Sequence, residues 1–94
     1  MQADSPNLLV VDDDPRMAES LVALLESAGY RNIQTLNEPH AAVAHINARE
    51  YDLVLLDVMM PGMTGFELLD ALDRTGMNTA FIILTGDASM ESAS

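Results

Sequence analysis

The sequence predicts an α/β fold in which a parallel sheet is covered by helices on both faces. Short apolar runs rich in branched side chains alternate along the chain with segments of helical periodicity. Strands that alternate with helices imply right-handed crossover connections and therefore parallel strands. Two of the apolar runs end abruptly in acidic residues, at 12–14 and at Asp57, as short strands buried inside such a sheet do.

Four strands are predicted, and they differ in how apolar they are. The runs 8–11 and 53–57 are continuous and almost wholly apolar, which is typical of strands buried on both faces. The run 32–36 is weaker and alternating, so we expect it at an edge of the sheet. A further apolar run covers 80–85, and residues 1–6 form a short tail.

The first two helices are delimited by residues that favour helix ends. Pro15 suits the first turn of a helix, with Asp14 as its cap, and Gly29 suits the position after its end. The second helix starts at Glu38-Pro39 and is expected over about 38–48. An acidic residue followed by proline therefore marks the start of both.

The third helix is predicted from the apolar residues Phe66, Leu69 and Leu72 and is expected to close near Gly76. After the fourth strand the sequence turns at Gly86 into the start of another helix. The predicted order is β-α-β-α-β-α-β, with a fourth helix that has barely begun when the sequence stops.

The composition limits the functions that this chain can have. Fifteen acidic residues stand against four basic ones, all arginine, and the net charge is −11 at pH 7. Such a surface repels phosphates, so we expect no direct contact with nucleic acid, whereas a divalent cation or a basic partner suits it. No apolar run approaches the ~20 residues of a membrane span, and no secretory signal is recognisable. The absence of cysteine excludes thiolate metal sites and is compatible with a cytoplasmic location.

Polar side chains follow three of the predicted strands where each one ends. In parallel sheets the ligand site lies at these carboxyl ends, so Asp12, Asp13 and Asp57 are expected to converge. Neighbouring carboxylates repel by roughly 1–4 kcal/mol, and a bound Mg²⁺ relieves that repulsion. One carboxylate can then attack phosphorus, while the hydroxyl of Thr85 and the amides of the turn at Gly86 contact the phosphoryl oxygens.

Three stretches carry a resemblance to a known family. They are Leu-Leu-Val-Val-Asp-Asp-Asp-Pro at 8–15, Leu-Val-Leu-Leu-Asp-Val-Met-Met-Pro-Gly-Met-Thr-Gly at 53–65 and Ile-Ile-Leu-Thr-Gly-Asp-Ala at 82–88. All three resemble the signatures of response regulator receiver domains. Their order and spacing are similar to the family's along essentially the whole chain. The resemblance implies a flavodoxin-like sheet with strand order 2-1-3-4.

The resemblance also implies a role for each site residue. Asp57 is similar to the aspartate that accepts a phosphoryl group from a histidine kinase or phosphotransfer protein. Asp12 and Asp13 resemble the acidic pair that holds Mg²⁺, and the resemblance implies Asp57 and the backbone carbonyl of Met59 as further ligands. Thr85 resembles the hydroxyl that reorients on phosphorylation. Such a domain is a signalling module with a self-catalysed phosphotransfer step rather than a conventional enzyme.

The sequence departs from the family in its last part. A complete receiver has the rest of the fourth helix, a fifth strand that carries a lysine and an aromatic residue, and a fifth helix. We therefore expect residues 1–94 to form a single receiver domain that is incomplete after the start of the fourth helix. Both a fragment of a longer protein and a naturally short form fit this pattern. Without a fifth strand, the edge at 81–84 is expected to be exposed and to promote self-association.

Two other functions remain open at this level. A degenerate or truncated receiver could act as a protein-interaction (dimerisation) module without phosphotransfer, since the chain has no lysine. A phosphatase of the haloacid-dehalogenase type is the third reading, because Asp12 and Asp14 form an Asp-x-Asp motif. The glycine and threonine that should follow that motif are absent. In such a phosphatase Asp12, rather than Asp57, would be the essential nucleophile.

Overall fold

The computed structural model describes residues 6–72, 74 and 76–84 of the chain. Strands and helices alternate through this part, which confirms the predicted element order. The elements are β1 (Asn7–Val11), α1 (Pro15–Ser27), β2 (Asn32–Leu36), α2 (Pro39–Ala48), β3 (Leu53–Asp57), α3 (Gly65–Ala71) and β4 (Ala80–Leu84). Among the described residues no helix is both long and apolar enough to cross a membrane.

The four described strands form one parallel sheet in the order β2-β1-β3-β4, as predicted. β1 and β3 lie in the middle, and their carboxyl ends are adjacent because Val11 pairs with Leu56. β3 in turn pairs with β4, with Asp57 opposite Leu84. The alternating run that was assigned to a sheet edge is β2, which has only β1 as a neighbour in the described sheet.

The helices cover both faces of the sheet, which explains why residues 8–11 of β1 and 53–56 of β3 are all apolar. One face of the sheet packs against α2 and α3 and forms a core with them. The strands contribute Leu9, Val11, Val54 and Leu56 to this core, and the helices contribute Ala42, Ile46 and Leu68. The other face packs Val10 and Leu55 against Ala18 of α1. Alternate residues of each strand point to opposite faces, so a single apolar run serves both cores.

The starts of the first two helices follow the predicted signals. Asp14 caps α1 and accepts a hydrogen bond from the Arg16 amide at 3.0 Å, while Pro15 occupies the first helical position. Glu38 caps α2 and accepts hydrogen bonds from two backbone amides of its first turn. Gly29 follows α1 with a φ of +104°, a conformation that glycine adopts without steric cost.

The third helix differs from its prediction in length and in its buried face. It ends at Ala71 rather than near Gly76, because the Leu72 amide turns back to the Leu69 carbonyl at 3.2 Å and closes the last turn. Leu68 is fully buried, whereas Phe66 is 59% exposed. The two residues are separated by about 200° around a helix, so they cannot both face the sheet.

Candidate functional site

Three carboxylates meet at the carboxyl end of the sheet. Asp12 and Asp13 follow β1 directly, and Asp57 is the last residue of β3. Each side chain offers a carboxylate oxygen, and these oxygens all lie within 4.8 Å of one another. The structure thus brings together the three acids that the sequence singled out. The pairing of β1 with β3 is what places them side by side.

Asp12 is the most buried of the three, with 3% of its surface exposed. Burial is the largest cause that raises the pKa of its carboxyl above the usual value, and the charge of Asp57 raises it further. The Asp14 amide donates a hydrogen bond to Asp12 Oδ1 at 3.0 Å, which acts in the opposite direction. In the absence of a cation, the site therefore disfavours a negative charge on Asp12.

Asp57 is half-buried and remains accessible from the open end of the sheet. The Met59 amide donates a hydrogen bond to Asp57 Oδ1 at 3.3 Å, which orients the carboxylate. The side chain of Met59 is 70% exposed. Met59 is thus held beside the site by its backbone, the part of the residue that the resemblance assigns to a metal.

The donor set of this site suits a hard divalent cation. Like charges less than 5 Å apart cost about 1 kcal/mol in water and about 4 kcal/mol at the effective dielectric of a protein surface. Mg²⁺ prefers carboxylate and carbonyl oxygens and keeps several waters, and the three acids offer ligand atoms of this kind. Burial and the charge of Asp57 disfavour the negative charge on Asp12 and raise its pKa, and a bound cation would offset both effects.

The loop after β3 is anchored by a motif that the sequence reasoning missed. The hydroxyl of Thr64 accepts from the Glu67 amide at 3.0 Å, and the Glu67 carboxylate accepts from the Thr64 amide at 2.9 Å. This capping box starts α3 close to Asp57. A threonine followed three residues later by glutamate before an apolar run is a recognisable signal for it.

Two of the predicted site residues, Thr85 and Gly86, lie outside the described residues. The residue before them is placed, since Leu84 pairs with Asp57 in the sheet. The Val58 amide also donates to the Leu84 carbonyl at 2.8 Å. The described end of β4 therefore adjoins the end of β3 that carries Asp57.

Comparison with known proteins gives a family match over almost the whole chain. The family model described as the response regulator receiver domain matches residues 8–94. The transcriptional regulatory protein TcrA of Mycobacterium tuberculosis is 38% identical over 83% of this chain. The nitrogen assimilation regulatory protein NtrX of Azorhizobium caulinodans is 32% identical over 93% of it.

Solved structures with the same fold include a response regulator and a chemotaxis protein. The response regulator TrrA of Thermotoga maritima, in complex with Mg²⁺ and BeF, matches 93% of this chain with a TM-score of 0.79 and 33% identity. The chemotaxis protein CheY4 of Vibrio cholerae matches 94% of it with a TM-score of 0.76 and 30% identity. This chain covers 75% and 74% of those two chains, but only 30% of TcrA and 19% of NtrX.

Proposed function

Since the chain belongs to the response regulator receiver domains, we propose that it is a phosphoacceptor module of a two-component system. Asp57 takes the phosphoryl group, and Mg²⁺ is the cofactor. Receiver domains are in general phosphoacceptors rather than conventional enzymes. The observation that carries the proposal is the meeting of Asp12, Asp13 and Asp57 within 4.8 Å at the end of the sheet.

In this arrangement the acids have different roles in phosphoryl transfer. A carboxylate oxygen of Asp57 forms a bond to phosphorus while the bond from phosphorus to the donor's imidazole nitrogen breaks. Asp12, Asp13, Asp57 and the Met59 carbonyl are the residues that would hold Mg²⁺. When bound, this cation neutralises charge on the phosphoryl oxygens. Thr85, which lies outside the described residues, keeps its proposed role as a hydroxyl donor to them.

The proposed donor is a histidine kinase or a phosphotransfer protein. A net charge of −11 favours a partner surface with basic residues and disfavours direct contact with nucleic acid. TcrA is named as a transcriptional regulatory protein and NtrX as a nitrogen assimilation regulatory protein, and this chain covers only a minor part of the length of each. We propose a cytoplasmic location for the module.

The assignment of Asp57 can be tested by phosphoryl transfer from a small donor. The chain is incubated with radiolabelled acetyl phosphate and Mg²⁺, together with Asp57→Asn and the control Asp70→Asn, which changes an exposed acid on α3. We expect label on the wild type and the control and none on Asp57→Asn. Persistent labelling of Asp57→Asn would refute the assignment.

Burial argues against the phosphatase alternative. In that reading Asp12 is the nucleophile, yet Asp12 is 3% exposed, whereas Asp57 is half-buried and reachable. A nucleophile must be approached in line by the phosphoryl group, which favours the more accessible carboxylate.

A protein-interaction role is supported by a different observation. β4 is the outermost of the described strands on its side of the sheet, and Ile82 on it is 44% exposed. An exposed apolar edge strand offers backbone groups to another chain. Self-association through β4 is therefore the second proposed function, and it is compatible with the first.

A further inference from the structure

Gly65, the first residue of α3, packs directly against the backbone of Asp57. From this contact we infer that Gly65 is a positioning residue, whose lack of a side chain sets where Asp57 and Met59 lie in the site. The inference rests on the proposed function, because it concerns how that same site is held in shape.

The space beside Gly65 is too small for any side chain. A Cβ atom at this position would lie 2.9 Å from the Asp57 carbonyl oxygen and 3.3 Å from Val58 Cα. Both neighbours are backbone atoms, so neither can rotate away as the end of a flexible side chain could. A larger residue would therefore have to move either α3 or the peptide that joins Asp57 to Val58.

Gly65 differs in this respect from Gly29 and Gly76. Gly29 and Gly76 have φ values of +104° and +78°, and nothing lies within 4 Å of a Cβ built on either one. They serve the conformation of the backbone. Gly65 is not among the residues with positive φ, so what it supplies is space rather than conformational freedom.

α3 is not free to move away from this contact. Leu68, one turn further along, is fully buried in the core shared with the sheet. The Gly65 amide donates to the Val58 carbonyl at 3.1 Å, and the capping box of Thr64 and Glu67 fixes the first turn. Lifting α3 would expose Leu68 and break the hydrogen bond to Val58, so the displacement falls on the peptide.

The peptide that joins Asp57 to Val58 begins the segment 57–59. Asp57 and Met59 of this segment supply a carboxylate and a backbone carbonyl to the proposed Mg²⁺ site. The hydrogen bond from the Met59 amide to Asp57 Oδ1 couples the two. Mg²⁺ demands nearly ideal octahedral geometry at about 2.0–2.1 Å, so even a small displacement of these ligands weakens its binding.

The test compares Gly65→Ala with Gly29→Ala, which also adds one methyl group at a glycine but lies far along the chain from the site. Mg²⁺ affinity is measured by calorimetric titration at a temperature where circular dichroism shows each variant folded. We expect the Kd of Gly65→Ala to rise about 10- to 100-fold, as for other residues that support metal ligands, and that of Gly29→Ala to change less than about twofold. The backbone amide resonances of 57–60 are expected to shift in Gly65→Ala alone.

Wild-type Mg²⁺ affinity and unshifted amides in folded Gly65→Ala would overturn the inference, as would an equal loss of affinity in Gly29→Ala. If Gly65→Ala is unfolded in buffer, the titration is repeated for all proteins in trimethylamine N-oxide, which favours compact states. Failure to fold even there would make Gly65 a residue needed for folding and would also contradict a positioning role. A wild type that binds Mg²⁺ but takes no phosphoryl group refutes the proposed function and leaves the role of Gly65 intact.

Discussion

At the scale of single residues, the three acids of the site lower the stability of the metal-free chain. Asp12 is buried beside two other acids, and its carboxyl has a raised pKa because burial disfavours its charge. A protein selected only for stability would place an uncharged side chain there. The metal-free chain therefore stores a repulsion that a cation can relieve, and this links folding to metal binding.

We predict that Asp12→Asn raises the free energy of unfolding of the metal-free chain by about 1 kcal/mol at pH 7, because it removes a buried like charge. The amide oxygen still accepts the hydrogen bond from Asp14. Added Mg²⁺ should stabilise the wild type, by about 2.7 kcal/mol at 100 times Kd, and leave Asp12→Asn unchanged. Urea unfolding with and without Mg²⁺ measures both effects, with Asp70→Asn as the control. Destabilisation of the metal-free chain by Asp12→Asn would contradict the prediction.

The same substitution has a predicted pH dependence. The folded-state pKa of Asp12 lies above its ordinary value of 3.8, so the folded chain binds more protons between the two values. The stability of the metal-free wild type relative to Asp12→Asn is therefore greatest below pH 3.8 and falls as pH rises through the folded-state pKa. Urea unfolding of both proteins from pH 4 to pH 7 gives this difference. If the stability gained by Asp12→Asn is constant over that pH range, the pKa of Asp12 is not raised in the folded chain and the prediction is wrong.

At the scale of elements, the strands and the first two helices could be predicted because each has a strong local signal. The continuous apolar runs fixed β1 and β3, and an acid followed by proline fixed the starts of α1 and α2. The buried face of α3 was harder to predict, since its apolar residues fit more than one helical face. Only the packing of the folded chain determines that Leu68 is buried and Phe66 is exposed. The fit of α3 against the backbone of Asp57 is likewise a tertiary property that no local pattern contains.

The capping box of α3 is expected to contribute measurably to stability. Thr64→Ala should lower the free energy of unfolding by about 1 kcal/mol, since it removes the acceptor for the Glu67 amide. A double-mutant cycle with Glu67→Ala measures how strongly the two halves are coupled. Ser20→Ala, which removes a hydroxyl from an exposed position within α1, should change stability by less than about 0.5 kcal/mol. Equal effects of Thr64→Ala and Ser20→Ala would contradict the role of the box.

At the scale of the whole molecule, the fold and the acid cluster followed from the order of the strands. Once β1 and β3 are neighbours in a parallel sheet, Asp12, Asp13 and Asp57 must meet. The expectation that residues 1–94 form a single receiver domain stays a prediction. Ile82 is exposed on β4, the outermost described strand on its side of the sheet, and this exposure has a consequence that can be measured.

We predict that the chain self-associates through β4 and does not remain a stable monomer. Size exclusion coupled to light scattering should give a mass that rises with concentration. Ile82→Lys places a charge on the strand and should shift the chain towards monomer. Met17→Lys changes an apolar residue of similar exposure on α1, 46% against 44%, and should leave the association unchanged. A wild-type monomer with cooperative melting would exclude this mode of association.

We propose that the three acids at the end of the sheet form a Mg²⁺-dependent phosphoacceptor site. Intact-protein mass spectrometry after incubation with acetyl phosphate, once with Mg²⁺ and once with a chelator, measures this dependence. We predict the addition of a single phosphoryl group in Mg²⁺, its loss when the metal is chelated, and its location on Asp57 by peptide mapping. No addition in Mg²⁺, or an equal addition with the metal chelated, would contradict the claim.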